Sequence, residues 1–456
     1  MTGRARGDPG HNVWVWAILV GAGSLVVSVG IIKYGSQGHQ AVKFIGGLLA
    51  LVLLASAILR PQLAIVAYAG LIPLDMSSHL LGARVRVSDE LLVALAVVLV
   101  PRVRIRSSDT WLAVGLGMLV IGSWTSAVFA RDHWPAIGGS VRYSAMAVLV
   151  LAGCALCRSY PELKARLAVA FLIGVSVTAV FGILQKHGST LIVGAPYLSG
   201  LPNSFLAYYT NYAGFLAMGF AVAIAIPLHR VNARHRAFYL AAGALCLVGL
   251  LDATSRGGLL AAAVALAVAT VLGHGIGPKV RRVLIVAAVA VAAVLLVPSG
   301  LRTPIEKRLT DHSLTASEDS QRRFVQSLGR SLLIRHPLGI GYGNFSLYQT
   351  VSLSSSGLPN YHAQETFYQL GLDAGWIGLA GVAVITICAL RQLVRTRDAF
   401  TIGAAAALAG FAAQGLNDYL LVDAPIIAAL VICLVLMFGS SPEGSAAGSL
   451  GVAGGG

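Results

Sequence analysis

The stretch VWVWAILVGAGSLVVSVGII, residues 13–32, runs for twenty positions without a charged side chain. As a helix rising about 1.5 Å per residue it matches a bilayer's hydrocarbon core, about 30 Å thick. Lipid offers no partner to a backbone N–H or C=O, so a run of this kind crosses only as a helix. The same reading applies to LLAAAVALAVATVLG (259–273) and VLIVAAVAVAAVLLVP (283–298). Fourteen hydrophobic segments follow one another, near 13–32, 41–59, 62–80, 89–101, 111–129, 143–157, 166–185, 209–228, 236–252, 257–273, 280–298, 366–390, 400–417 and 424–439. The third, fourth and sixth are short or interrupted, with Pro73 and Asp75 inside the third, which leaves twelve as the alternative count. The expected fold is all-α: a polytopic integral membrane protein of about 12–14 transmembrane helices.

Composition agrees. Of 456 residues 57% are hydrophobic and 11% charged, with a mean hydropathy of +0.79. A soluble chain of this length could not cover its surface with so few charges. The 13–32 run is too long for a signal-peptide core and no A-x-A site follows it, so no cleavable signal is expected. Cys154, Cys157, Cys246, Cys388 and Cys433 all fall within hydrophobic segments. Cys154 and Cys157 have metal-ligand spacing, but no second pair accompanies them, and small core residues are the simpler reading.

Alternate loops are basic: 101–109, 158–166, 229–236, 277–282 and 391–397, together with the N-terminal MTGRARG. With fourteen spans and a cytoplasmic N-terminus all of them share one side, as the positive-inside rule demands. The +15 net charge then reports topology and anionic lipid, and nucleic acid is not needed to explain it. This divides the chain into N-terminal transmembrane helices (1–298), an extracytoplasmic loop (299–365), C-terminal transmembrane helices (366–439) and a low-complexity, disordered tail (440–456). Within the loop, 318–337 reads as an amphipathic helix with Phe324, Leu328 and Leu332 on one face, ended by His336-Pro337.

The outward side carries arginines that the charge rule does not favour, among them Arg142, Arg256, Arg322, Arg323 and Arg330. Single cases are explained by snorkelling or by nearby acids; together they suit an anionic ligand, whose oxygens a guanidinium can bind in pairs. Arg256 lies within a turn of an apolar helix, where an unpaired charge costs about 2.5 kcal/mol or more. It should line a polar cavity and meet an anion there, the alternative being an ion pair with Asp252. Glycines alternate in HPLGIGYGNF (336–345), which reads as a tight turn, with a backbone anion nest as the other possibility. In LPNYHAQETFYQLGLDAGWIGLAG (358–381), His362 and Glu365 stand where a polar loop enters an apolar helix.

Together these features resemble the O-antigen ligase and polysaccharide polymerase family of bacterial membrane glycosyltransferases. TSRGG (254–258) resembles that family's Ser-Arg-Gly helix start. Arg322, fourteen residues before His336, is placed like its arginine upstream of an HPLxGxGxGNF segment. ETFYQLGLDAGWIGL (365–379) is similar to its N-x-(F/Y)-L-Q-L-x-x-E-x-G-x-x-G helix. The resemblance covers roughly 250–390. It departs where the family has His-Asn ahead of the aromatic residue: Gln364 and Glu365 stand there, and His362 lies two positions early.

The resemblance implies transfer of a glycan from an undecaprenyl- or other polyprenyl-diphosphate carrier to a glycan or lipid acceptor hydroxyl, at the outer face of the bacterial inner membrane. Arg256 and Arg322, or Arg323 in its place, would bind the diphosphate. His362 would accept the hydroxyl proton, with Glu365 as second candidate. No cofactor or metal is expected, since Glu318-Asp319 is the only outward acidic pair suited to one and arginines can neutralise the leaving group. Ligase and polymerase differ only in acceptor, which the residues leave open. The rival reading is a lipid-linked glycan flippase or polysaccharide transporter, which should show paired broken helices in two related halves. The topology is tested by cysteine labelling: a cysteine introduced at position 315 should react from outside intact cells. Reaction only from the cytoplasmic side would reverse the assignment.

Overall fold

The computed structural model describes residues 59–72, 77–80, 83–187, 202–204, 206, 208–228, 233–273, 277, 282, 285, 286, 288, 316–348, 362, 363 and 365–440. Its helices are α1 (Pro61–Leu71), α2 (Val87–Leu99), α3 (Thr110–Val128), α4 (His133–Ser159), α5 (Leu163–Lys186), α6 (Tyr209–Ala225), α7 (Ala233–Ala253), α8 (Arg256–Leu272), α9 (Ala316–Arg335), α10 (Thr366–Arg395), α11 (Ala399–Gly415) and α12 (Ala424–Phe438). Six stretches among the described residues are long and apolar enough to cross a membrane: Ser107–Val128, His133–Ser159, Leu163–Lys186, Tyr209–Leu228, His235–Ala253 and Thr366–Arg395. Five shorter apolar helices accompany them. The protein is an all-α polytopic membrane protein.

Two of the segments marked as short or interrupted take definite form. The segment at 62–80 is not one span: α1 stops at Leu71, and Ser77–Leu80 pairs antiparallel with Ala83–Arg86 in a two-stranded hairpin. Pro73 lacks the N–H a continuing helix needs, and Asp75 resists burial in lipid. The segment at 143–157 is the C-terminal part of a longer helix, α4, whose start is capped by the Asp132 carboxylate accepting from Trp134 N at 3.1 Å. The expected spans at 13–32, 41–59 and 280–298 lie outside the described residues apart from isolated positions, as does the tail beyond 440.

Helices α6, α8, α11 and α12 form the centre of the main core, and α12 is buried along its whole length. The packing of α3 on α10 is of another kind. A Cβ on Gly122 would lie 2.3 Å from Ala374 O, and one on Gly381 would lie 2.6 Å from Gly115 O. The two backbones touch through glycine, as is common where membrane helices associate by close packing.

Helix α10 is broken inside this seam. Gly375 has φ 65° and ψ −174°, a conformation essentially restricted to glycine. The break removes the helical bond between Trp376 N–H and Leu372 C=O, and both groups are satisfied from elsewhere. Trp376 N donates to Pro337 O at 2.9 Å, while Leu372 O accepts from Ile340 N at 2.7 Å and Gly341 N at 3.1 Å. Ser126 of α3 completes the joint, donating to Leu372 O at 3.3 Å and accepting from Gly341 N at 2.7 Å. The glycine-rich segment is thus a turn that fills a helix break. The N–H groups of Ile340 and Gly341 go to this joint and that of Gly339 to His336 O, so the anion-nest reading fails for these three.

The amphipathic helix forms close to its expected bounds, as α9. Its buried face is rotated from the expected one: Val325 and Leu332 are buried with Leu333, whereas Phe324 is 46% exposed. The face is chosen by what covers it, Ala363 and Leu372, which join Ile340 and Phe345 in a small separate core.

Replacing Gly375 by alanine should lower the melting temperature in detergent. The backbone conformation alone costs about 1–3 kcal/mol, and the new Cβ would meet Leu338 C at 2.7 Å. Gly117→Ala, which meets nothing within 4 Å, is the matched control and should not destabilise.

Candidate active site

Helix α8 begins at Arg256. Thr254 turns the chain with φ 49°, and Ser255 caps the helix by accepting from Gly258 N at 3.2 Å. The Arg256 side chain is half-buried. The alternative expectation of an ion pair with Asp252 is not met, since Asp252 faces His187, Nε2 to Oδ2 at 3.6 Å. Beside Arg256, a Cβ on Gly257 would lie 2.4 Å from Asp418 Oδ2, so the α11–α12 connection (416–423) closes directly over the start of α8. Asp418 also accepts from Gln414 Nε2 at 3.3 Å.

The same connection meets the start of α10. Thr366 donates to Asp418 O at 2.7 Å and accepts from Leu420 N at 3.2 Å. One residue earlier, Glu365 occupies the N-cap position without capping the helix through its side chain. Partial burial pushes its carboxyl above the usual range, which makes it a better proton acceptor than an exposed glutamate. His362 lies next to Tyr419, ring centroids 4.5 Å apart at 46°. The start of α8, residue 362 and the start of α10 thus all meet the α11–α12 connection, which brings together the segments that carry Arg256, His362 and Glu365.

Arg322 and Arg323 lie on α9, within two turns of Gly329, whose backbone abuts Ala363: a Cβ there would meet Ala363 Cβ at 2.9 Å. The helix carrying them thus docks on the residue after His362; their side chains lie outside the described residues, as does Gln364.

Beneath this surface lies a polar network absent from the sequence expectations. Asp373, 1% exposed, accepts from Gln369 Nε2 at 2.7 Å, Tyr419 Oη at 3.3 Å and Tyr143 Oη at 3.4 Å. Gln369 Oε1 in turn accepts from Ala363 N at 2.8 Å. Burial, then the nearby Asp373 carboxylate, holds the Tyr419 hydroxyl well above its usual pKa, so it stays a donor. Alongside, Arg142 donates to Asp89 at 2.5 Å and to Tyr342 Oη at 3.0 Å. Asp89 sits in the first turn of α2, where the helix dipole favours a negative charge. One signal was available in the sequence: Gln369 and Asp373 stand four apart inside an apolar helix, where polar side chains need partners. Tyr419 and Tyr143 carried none.

A second polar joint ties the glycine turn to the α3–α4 connection. Asn344, fully buried, donates to Asp132 O at 2.9 Å and accepts from Asp132 N at 2.7 Å. Arg131 stacks over Tyr348 at 4.0 Å and donates to Leu347 O at 3.1 Å. Among the described residues no group of three or more His, Cys, Asp and Glu side chains is placed to hold a metal ion.

The fold defines a class: a multi-pass helical membrane protein, here with arginine, histidine and carboxylate residues near the ends of its helices. Residues 241–383 match the family model described as O-Antigen ligase, a stretch covering most of α7, all of α8 and α9, and α10 past its break. That stretch is similar to the O-antigen ligase domain. No curated protein matches it.

The partly buried ion pair gives a direct test. Arg142→Met should cost stability by leaving the Asp89 carboxylate without its ion-pair partner. Arg142→Met combined with Asp89→Leu should recover much of that loss, read as melting temperature in detergent.

Proposed function

We propose that the protein transfers a glycan from a polyprenyl-diphosphate carrier, such as undecaprenyl diphosphate, to an acceptor hydroxyl at the extracytoplasmic face of the bacterial inner membrane. The basic N-terminal segment, with an even number of spans, would make both termini cytoplasmic. The observation that carries this reading is the convergence of Arg256, His362 and Glu365 at one cluster within the O-antigen ligase domain. These residues come from segments more than a hundred positions apart.

The chemistry needs two services. The acceptor oxygen attacks the anomeric carbon, a C–O bond forms there, and the bond from that carbon to the carrier diphosphate breaks. The electron pair leaves with the diphosphate, whose growing charge must be neutralised. Arg256, with Arg322 or Arg323, supplies fixed positive charge with paired donors, so no metal is required. The acceptor proton passes to His362, or to Glu365, whose raised pKa suits the same task. Whether the acceptor is a lipid-borne core or the end of a growing glycan decides between ligase and polymerase; the residues of the cluster serve either.

The transport reading has one observation in its favour, the break in α10, because transporters build sites at discontinuous helices. Here the freed Leu372 and Trp376 groups are taken up by the 337–341 turn and Ser126 instead of lining a path for cargo.

Purified protein incubated with a polyprenyl-diphosphate oligosaccharide and acceptor should release diphosphate-lipid, and a chelator should leave the rate intact. Arg256→Lys should greatly reduce turnover, because lysine keeps the charge and loses the paired donors. His362→Ala should lower it by about a hundredfold or more, and His362→Gln should not restore it. A dead Glu365→Gln beside an active His362→Ala would move the base role to Glu365. Full activity in all these variants would remove the transferase site.

A further inference from the structure

Asp373 reaches the 362–363 segment by two routes. One runs through the Tyr419 hydroxyl, at 3.3 Å, to a tyrosine ring lying 4.5 Å from the imidazole of His362. The other runs through Gln369, whose Nε2 donates to Asp373 Oδ1 at 2.7 Å and whose Oε1 accepts from Ala363 N at 2.8 Å. The routes close a ring around His362: its side chain rests on Tyr419, and the backbone beyond it is pinned to α10. Tyr419, Gln369, Asp373 and Ala363 are all buried, Gln369 and Ala363 fully, so water does not compete for these bonds. Three donors on one carboxylate also exceed what packing alone requires.

We infer that Tyr419 and Gln369 are positioning residues for His362, with Asp373 as their common anchor. The inference rests on the reading of His362 as the base that receives the acceptor proton. Tyr419 and Gln369 touch no reacting atom. They hold the imidazole in one place, so the base meets the acceptor hydroxyl already oriented, and orientation of this kind is worth orders of magnitude in rate. The arrangement also accounts for a histidine two positions early relative to the family pattern: a fixed 362–363 segment, and not the helix start itself, sets where the ring lies.

The test uses the full-length protein in detergent or nanodiscs, with a polyprenyl-diphosphate oligosaccharide and acceptor, measuring kcat, donor KM and melting temperature. Tyr419→Phe keeps the ring and removes only the bond to Asp373; Gln369→Leu removes both of its bonds at similar volume. Each should lower kcat by about tenfold, with donor KM little changed. Combined with His362→Ala, neither should reduce the rate further, because a positioning residue has nothing left to position. If Tyr419→Phe and Gln369→Leu keep full kcat, or reduce it equally with and without His362, the inference is wrong while the role of His362 stands. If His362→Ala itself keeps full turnover, the base reading has failed and the inference falls with it. A drop in kcat that tracks a drop in melting temperature, and that appears equally in the His362→Ala background, would mark a purely structural role and also overturn it.

Discussion

The carbonyl of Leu372 is the group on which this part of the structure turns. A helix interrupted within a membrane protein exposes backbone groups that lipid cannot satisfy, each at a cost of several kcal/mol. Here the interruption falls at Gly375, and Leu372 O takes bonds from Ile340, Gly341 and Ser126 while Trp376 N–H goes to Pro337 O. The chain from 337 to 341 therefore cannot drift. A Cβ on Gly339 would lie 2.3 Å from Ser126 Oγ, and its φ of 87° is left-handed, so glycine is required there twice over.

That joint determines where α9 lies. The helix ends at Arg335, and the turn that follows is locked into α10 on one side and clamped to the α3–α4 connection through Asn344 on the other. With its end fixed, α9 can only lay Val325, Gly329 and Leu332 against Ala363 and Leu372. The backbone positions of Arg322 and Arg323 relative to the 362–365 segment are thus a consequence of a glycine turn many residues away.

The buried polar residues follow from the same helix. The part of α10 ahead of its break carries Gln369 and Asp373; Asp373 finds partners on α4 and the α11–α12 connection, and Gln369 joins it to Ala363 N. A buried carboxylate is expensive unless fully engaged, and Asp373 has three donors. Such a network gains little as bulk stability; its use is to specify one arrangement of the elements around it, which is what a catalytic cluster needs.

The sequence by itself determined the membrane class, most helix positions among the described residues, and which polar residues stand at the helix starts. Those follow from local physics: hydrophobic length, the lack of an N–H in proline, and the cost of arginine or histidine near lipid. TSRGG marked the start of α8, and the polar-to-apolar junction marked the start of α10. Only the tertiary structure decided which face of α9 is buried, that Asp252 turns to His187, that the alternating glycines fill a helix break, and that Tyr419 and Asp373 stand behind His362. Each depends on a partner distant along the chain. Periodicity shows that a residue needs a neighbour; the packing of α3, α9, α10 and the α11–α12 connection decides which neighbour it finds.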